Sequence, residues 1–576
     1  MKNRNYFLIF IFACCSGVVC TAEGQNKNKH YIKNRIMTTE DGNSFREKVL
    51  YYDIFGKHTE TVQVGASPQG KDLLFTFGYD ILDRPVSESL PLPDGNRNYY
   101  GDAYYYSGYV YGNSSLNRIR ESYGPGAAWR DNGKSVKTEY LVNADSGDLS
   151  CAEFRAEDNG EEVRLIRSGL YAAGELSVAR TTDEDGKVVY TFTDFEGKLL
   201  LTRRMNGTEP HDTYIVYDDR GRKRIVLPPL AADELTATAS WGCNSSEVIK
   251  KYGYVYRYDG RDRVIEKKLP GCDPVHFVYD RSDRLILKQN GNNRKDGVWQ
   301  YYQYDGLGRE VIWGVLPSSA AREDWEVIFR DTVCCERFIG LGQDGNFGYT
   351  NTAAFNESRT PLIVSYYDSY AFEALSDSFL TYVDKPDFGK RIERPSGKLT
   401  GQIIALLNNP ELKEHVTLYY DKRGRVIQTN ACSVSGFHNY SFTKYDFIGQ
   451  PISVRKEHYS IYPAKAILEP EATYDHTIVY DYEYDHAGRL TRLYQTFDKN
   501  ERIKIAEYRY DEAGRLVGKV LHDGKFDCKY DYNIRGWLTE IDEPFMNEKI
   551  YYNEDLPEGV EPLYNGNIAD VYYSAH

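Results

Sequence analysis

The chain has no surplus of basic residues. Its 71 Lys and Arg stand against 85 Asp and Glu, giving a formal net charge of −14. No basic stripe supplies counter-charge, which argues against binding nucleic acid through phosphates. After the first twenty or so residues there is no apolar stretch long enough to cross a membrane. Catalytic phrases are missing too: beyond the leader there is no HExxH, no GxSxG and no CxxC. "KEH" occurs at Lys413 and Lys456, each time without a second histidine at metal spacing. Of ten cysteines, Cys14, Cys15 and Cys20 fall in the leader. The other seven show neither metal-ligand nor disulfide-framework spacing, and their odd count leaves at least one thiol free. These absences point to a chain that is not an enzyme and carries no metal or cofactor.

What is abundant is tyrosine, with 51 copies against 24 Phe and 6 Trp. A ring with a polar tip suits strands and half-wet surfaces, so the composition favours extended structure. With 27% charged and 41% hydrophobic residues the chain is not of disordered composition, yet 576 residues are too many for one core. The length calls for several domains, or for a repeat that spreads the core out.

The N-terminus places Lys2 and Arg4 before an apolar run from Tyr6 to about Val19, with small residues after it. The run is short for a membrane span and reads as a secretory leader over residues 1–22, cut near Ala22. The stretches before Cys14 and Cys20 loosely resemble lipid-attachment signals, so a lipid anchor is the alternative. Either way the mature chain is expected to be exported, secreted or held at the cell surface.

One phrase recurs eleven times. It stands as "YDDRGR" at Tyr217, "YDGLGR" at Tyr304, "YDKRGR" at Tyr420, "YDHAGR" at Tyr484 and "YDEAGR" at Tyr510. Looser copies begin at Tyr52, Tyr79, Tyr258, Tyr279, Tyr445 and Tyr532. Neighbours are often 21 to 27 residues apart. An aromatic residue often stands two positions before the tyrosine, on the same strand face. The aspartates Asp218, Asp305, Asp421, Asp485 and Asp511 start a turn by accepting from backbone N–H groups two residues on. Gly221, Gly308, Gly424, Gly488 and Gly514 take the left-handed conformation. Asp262 and Asp283 replace the glycine in two copies, a substitution that aspartate tolerates. Arg222, Arg309, Arg425, Arg489 and Arg515 open the departing strand. Between the phrases, "PGCD" at Pro270, "QNGNN" at Gln289, "FDKNE" at Phe497 and "HDGK" at His522 carry turn chemistry of a second kind. One repeat is thus strand, corner, strand, turn. The fold expected is all-β: antiparallel hairpins adding to one long coiled sheet, or a partial hollow shell, with small helical insertions.

These phrases resemble the YD repeats of RHS (rearrangement hot spot) proteins, related to insecticidal toxin-complex shells and to teneurins. The resemblance covers the chain from about Tyr31 onward. The opening "YIKNRIMTTEDG…YYDIFGKHTETVQVGASPQGKDL" resembles the uncharacterised domain that precedes the repeats in exported bacterial RHS proteins. The resemblance implies a spiralling β-shell enclosing a polypeptide cargo, a toxin or effector released by an aspartyl autoprotease in a downstream core. The "DPxGL"-like signature of that core is absent, and Asp273-Pro274 sits in a turn between two repeats. The expectation is therefore the front portion of a polymorphic-toxin shell, ending before protease and cargo. Its divisions are a leader at 1–22, an N-terminal domain with the first hairpins at 25–170, repeat sheet at 171–310, an insertion with short helices at 311–417, and repeat sheet again at 418–576. The implied partner is a polypeptide cargo or a downstream core or toxin segment. The alternative is a cell-surface adhesin or carbohydrate-binding module.

Several stretches break the pattern. "LPSSAAREDWEVIF", with Ser319 as candidate cap, and "LTGQIIALLNNPEL" are each expected to hold a short helix. Residues 231–251 read as a shorter excursion. Residues 90–143, rich in Gly, Tyr, Asn and Ser, read as loop or tyrosine-rich edge strand, with a carbohydrate-stacking surface as the alternative. "GLGQDG" from Gly340 matches a dinucleotide fingerprint in letters, but the adjoining "NFGYTNT" is a poor helix start, so a glycine-rich loop is expected. "TTDEDGK" at Thr181 lacks a complete calcium loop and reads as a hairpin tip. Cys334 and Cys335 are read as two packed thiols, with a vicinal disulfide or a thiophilic metal as the sharper alternative.

Overall fold

A computed structural model describes residues 18–22, 30–113, 115–158, 160, 162–340, 346–353, 355, 358–375, 380–460 and 476–575. Most of the expected leader lies outside these residues. So do 341–345 of the glycine-rich stretch.

The alternation of apolar and polar residues between Gly- and Asp-bearing tips produces strands almost everywhere. Thirty-five of the described strands form one continuous sheet, from Val18–Ala22 to Asp570–Ala575. Each strand pairs antiparallel with its neighbour along the chain, apart from local crossings such as Leu92–Pro93 back onto Leu73–Tyr79. Three strands stand apart. Ala152–Asp158, Val163–Leu170 and Ser240–Gly242 make a small second sheet.

The wall is thick in its middle and thin towards its end. The small sheet, with helices Pro229–Glu234 and Glu247–Tyr252, covers a core of Phe192, Leu201, Ile225, Leu227, Leu165 and Ile249. Helix Arg322–Phe329 and its flanking loops cover a second core around Trp299, Tyr301, Ile312, Phe329 and Tyr366. By contrast, strand His476–Tyr484 is half-buried at every position, and Leu490–Phe497 presents no fully buried residue on either face. There the sheet is a single layer with two half-covered sides.

The segment 311–417 differs from expectation. The helix Arg322–Phe329 forms, with Asp324 accepting from the Ala321 N–H (3.0 Å), so the capped position is Ala321 and not Ser319. The second expected helix does not form. Leu399–Leu406 and Asn409–Tyr420 are strands that pair with each other, and the first also pairs with Thr360–Tyr367. The strand buries Gly401, Ile403 and Ala405 on one face, while Ile404 and Leu406 stand half-buried on the other, so apolar letters fall on both faces and the run lacks the period-2 signature of a half-buried strand. The sheet thus runs through this region, interrupted by two excursions, 318–359 and 369–396. "QNGNN" likewise makes a short helix, Gly291–Lys295, rather than a tight turn; Asn290 accepts from the Asn293 N–H at 2.9 Å.

Twist makes a long open sheet curl, and here the curl brings the last corners onto the first. Arg46 donates to His486 O (3.3 Å) and to Gln450 Oε1 (3.3 Å). His486 Nε2 donates to Gly65 O (2.6 Å), and Arg489 Nη1 to Ala66 O (2.8 Å), 423 positions away. Lys71 pairs with Glu512 at 2.8 Å. Further along, Arg535 donates to Pro125 O (3.0 Å) and pairs with Glu184 (3.1 Å). Trp129 Nε1 donates to Tyr564 O at 2.8 Å, 435 positions away. Gly126, at φ 116°, permits the close approach, since a Cβ there would stand 2.5 Å from the Trp129 ring and 3.1 Å from Ile534. The strip therefore coils round and meets itself along a seam.

Candidate functional site

The five full phrases build one corner each, with the same bonds. Asp218, Asp305, Asp421, Asp485 and Asp511 each accept, through Oδ1, the N–H of the arginine four positions on, at 2.8–3.0 Å. Their Oδ2 atoms take the Nε–H of Arg222, Arg309, Arg425, Arg489 and Arg515 at 2.7–2.8 Å. Gly221, Gly308, Gly424, Gly488 and Gly514 have φ between 74° and 91°. Asp262 and Asp283 hold the same backbone position at 62° and 63°, as does Asp83 at 67°. Burial works against the Asp218 charge, but the N–H and guanidinium of Arg222 outweigh it and hold the carboxyl below its usual range.

Each corner also grips its neighbours. The hydroxyl of Tyr304 donates to Leu285 O (2.9 Å), Tyr420 to Leu399 O (2.6 Å), Tyr484 to Pro451 O (2.9 Å) and Tyr510 to Leu490 O (2.8 Å). In each case the acceptor comes directly after the basic or glutamine residue that closes the preceding corner. Tyr79, Tyr111, Tyr258, Tyr279, Tyr367, Tyr445 and Tyr532 repeat this bond at 2.8–3.1 Å. In the other direction, arginine Nη1 reaches the next corner's carbonyl: Arg222 to Asp259, Arg425 to Asp446 and Arg515 to Asn533. The guanidinium lies over the next corner's tyrosine, as Arg425 over Tyr445 (4.9 Å) and Arg515 over Tyr532 (5.5 Å). Arg309 instead reaches the Asp368 carboxylate at 2.6 Å, and Arg489 is diverted to the seam. Among the five full phrases, Tyr217 alone makes no such hydroxyl bond.

Sequence reading did not reach several of these features. The tips Asp183–Lys187 and Asp194–Lys198 have the same backbone bonds with lysine in place of arginine and threonine in place of tyrosine. The shared signal was Asp-x-x-Gly-Lys. Another corner is split: Asp368 N donates to Lys398 O (3.0 Å), and Gly397 N donates to Asp368 Oδ1 (2.6 Å), 29 positions later. The acidic tip read from "TTDEDGK" is a hairpin end whose carboxylates hold the far layer. Asp185 accepts from Tyr564 N (2.8 Å) and Asn565 N (3.0 Å), and Asp183 from Asn565 Nδ2 (2.9 Å). In the tyrosine-rich stretch, Tyr104, Tyr106 and Tyr123 surround Arg130, at 5.6, 5.4 and 4.2 Å. Cys334 and Cys335 are free thiols, the first fully buried. Among the described residues no cluster of three His, Cys, Asp or Glu side chains is placed to hold a metal.

Gly514 tests the corner. A Cβ there would sit at φ 91° and 3.0 Å from Arg489 Nη1. Gly514→Val is expected to destabilise by about 1–2 kcal/mol, with faster amide exchange over residues 510–516. A neutral urea melt would mean that the backbone does not need its left-handed residue.

Comparison with known proteins places this geometry in a class. Residues 25–142 match a family model described as a domain of unknown function, DUF6443. Over 562 residues the chain is 21% identical to salivary gland surface protein 1 of Aedes aegypti, covering 93% of this chain and 14% of that protein. The crystal structure of TcdB2-TccC3 superposes with a TM-score of 0.57 at 12% identity, covering 91% of this chain and 23% of that one. The chain thus spans under a quarter of the length of either. At this identity the structural likeness shows a shared fold. With the DUF6443 match, it supports an RHS-like shell fold built from a long antiparallel sheet.

Proposed function

We propose that the chain is a section of an exported, encapsulating wall with no catalysis of its own, which screens a polypeptide cargo or a downstream core or toxin segment. The observation that carries this reading is the seam. A strip that returns after some 400 residues to bond with its own beginning is closed on itself, which supports a wall around a space. The apolar leader with Lys2 and Arg4 supports export. The likeness to TcdB2-TccC3 supports the shell.

Small-angle scattering of the purified chain tests it. A solid globule of this length has a radius of gyration of about 25 Å. A wall around a lumen places its mass away from its centre, so a distinctly larger radius is expected, with the pair-distance maximum displaced to long distances. A radius near the solid value, with a symmetric distance distribution, would remove the lumen and with it the reading.

A further inference from the structure

The two rims of the strip differ in what covers them. The YD-type corners close on one rim and the second kind of turn on the other. At the seam the corner rim of the last strands sits on the turn rim of the first: His486 meets Gly65, Glu512 meets Lys71 and Arg535 meets Pro125. The corner rim of the first strands is thus left at the free end of the coil. Its first two corners carry Ile54 with Phe55 and Ile81 with Leu82 in their middle positions. These side chains are 62%, 78%, 98% and 64% exposed, and Leu116 in the loop that follows is exposed as well.

The corners hold these residues outward. Asp53 Oδ1 accepts from Phe55 N and Lys57 N (both 2.9 Å), and Asp80 Oδ1 from Leu82 N (2.9 Å) and Arg84 N (3.0 Å). Lys57 pairs with Asp83, and the Tyr79 hydroxyl donates to His58 O (2.8 Å), so the two tips stand side by side. Arg84 Nη1 donates to Gly112 O at 3.4 Å, which sets the Leu116 loop next in line. Arg84 Nε donates to Asp80 Oδ2 at 2.7 Å, so the carboxylates of Asp80 and Asp83 are each answered by a cation.

We infer that this rim is a membrane-contact edge, whose apolar tips enter the interfacial layer of a lipid bilayer. Contiguous exposed apolar groups mark an interaction site. These tips protrude singly and line no groove, so a protein partner would need a pocket for each, whereas a fluid lipid surface needs none. A second copy stacked as at the seam is disfavoured by the letters. The seam corners use His486, Glu512 and Arg535 to reach carbonyls and a lysine, bonds that Ile54, Phe55, Ile81 and Leu82 cannot make. The start of the chain lies on the same rim. His30 pairs with Tyr52, directly before the Asp53 corner, and Ala22 pairs with Ile32. Under the export reading, on which this last point rests, a leader cut near Ala22 leaves the new N-terminus at this edge. A lipid on Cys20 stands ten residues from His30, within roughly 35 Å along an extended tether. Tips and acyl chain are then two weak signals of the kind that together hold a protein at a bilayer.

The test is flotation of the full chain with phosphatidylcholine vesicles, with and without phosphatidylglycerol, read alongside hydrogen exchange. The chain should float with either, and amide exchange should slow at residues 53–56 and 80–83 when vesicles are added. Ile54→Asp, Phe55→Arg, Ile81→Asp and Leu82→Arg together give both tips the middle residues of the Asp218 corner, Asp219 and Arg220, so the thermal melt should stay in place. The four changes should weaken vesicle binding about tenfold or more and remove the effect on exchange. Leu307→Arg, at an exposed corner elsewhere on the strip, should do neither; an equal loss there overturns the inference. So does binding that survives the four changes, as the apolar leader acting alone would give, or tip exchange that vesicles leave unchanged. Tip protection that grows with protein concentration in the absence of lipid would assign the edge to a second copy and overturn it too. Protection of the tips by vesicles does not depend on where the leader is cut, and the enclosed space makes no demand on this rim, so failure here leaves the scattering test and its reading untouched.

Discussion

Trp129→Ala is expected to cost about 3–5 kcal/mol and to open the wall at its seam. Trp129 is 1% exposed and lies where the strip meets itself. Its ring is edge-on to Trp537 (5.6 Å) and Tyr564 (6.0 Å), and the Arg535 guanidinium sits 3.9 Å from it. Removing it takes away the indole N–H bond to Tyr564 O and leaves a cavity among groups drawn from three distant stretches. Along the strip each strand is held by a backbone ladder. Across the seam each of these bonds depends on a side chain on one side, with no backbone ladder. Hydrogen exchange should therefore rise first in residues 125–130 and 533–565, while strands Leu490–Phe497 and Leu516–Leu521 keep their protection. Loss spread evenly over the whole sheet would show that the seam is no weaker than the ladder.

The second large effect lies in the thick part of the wall. Arg203 and Asp212 face each other across neighbouring strands with two parallel bonds, Nε to Oδ1 at 2.7 Å and Nη2 to Oδ2 at 2.6 Å. Arg203 also donates to Asp148 O (2.7 Å) and Ser150 O (3.0 Å), fastening the loop that leads into the small sheet. Burial pulls the Arg203 charge down, and Asp212 more than offsets it. Asp212→Ala leaves a buried guanidinium without its anion, and a loss of about 3–5 kcal/mol is expected. The double change Arg203→Met with Asp212→Leu should recover most of that loss in a urea melt, because no charge is then stranded. If the double variant is as unstable as Asp212→Ala, shape and not charge governs the site.

How much of this was legible depends on how far each interaction reaches along the chain. A corner is local. Aspartate, glycine and arginine bond within four residues, so their letters are fixed at fixed spacing and the phrase announces itself. Asp262 and Asp283 could be read as stand-ins for glycine because so few residues tolerate that backbone. The seam is different. Gly65, Ala66, Pro125 and Tyr564 take part through backbone carbonyls, which any side chain supplies, and their partners stand hundreds of residues away. The split corner at Asp368 escaped for the same reason, since its glycine arrives 29 positions late. The strand Leu399–Leu406 escaped because its half-buried face also carries apolar residues, Ile404 and Leu406, which erases the alternation in the letters.

The split corner has a practical consequence. Its aspartate, glycine and lysine keep their bonds although a long detour separates them, and Tyr367 and Tyr420 still reach their usual carbonyls on either side. The corner's own bonds thus form whether two residues or a long detour stand between aspartate and glycine. A tip is therefore a place where the chain can take in a long insert and still close its corner, as the stretch 369–396 does while packing Tyr370 and Phe372 into the core.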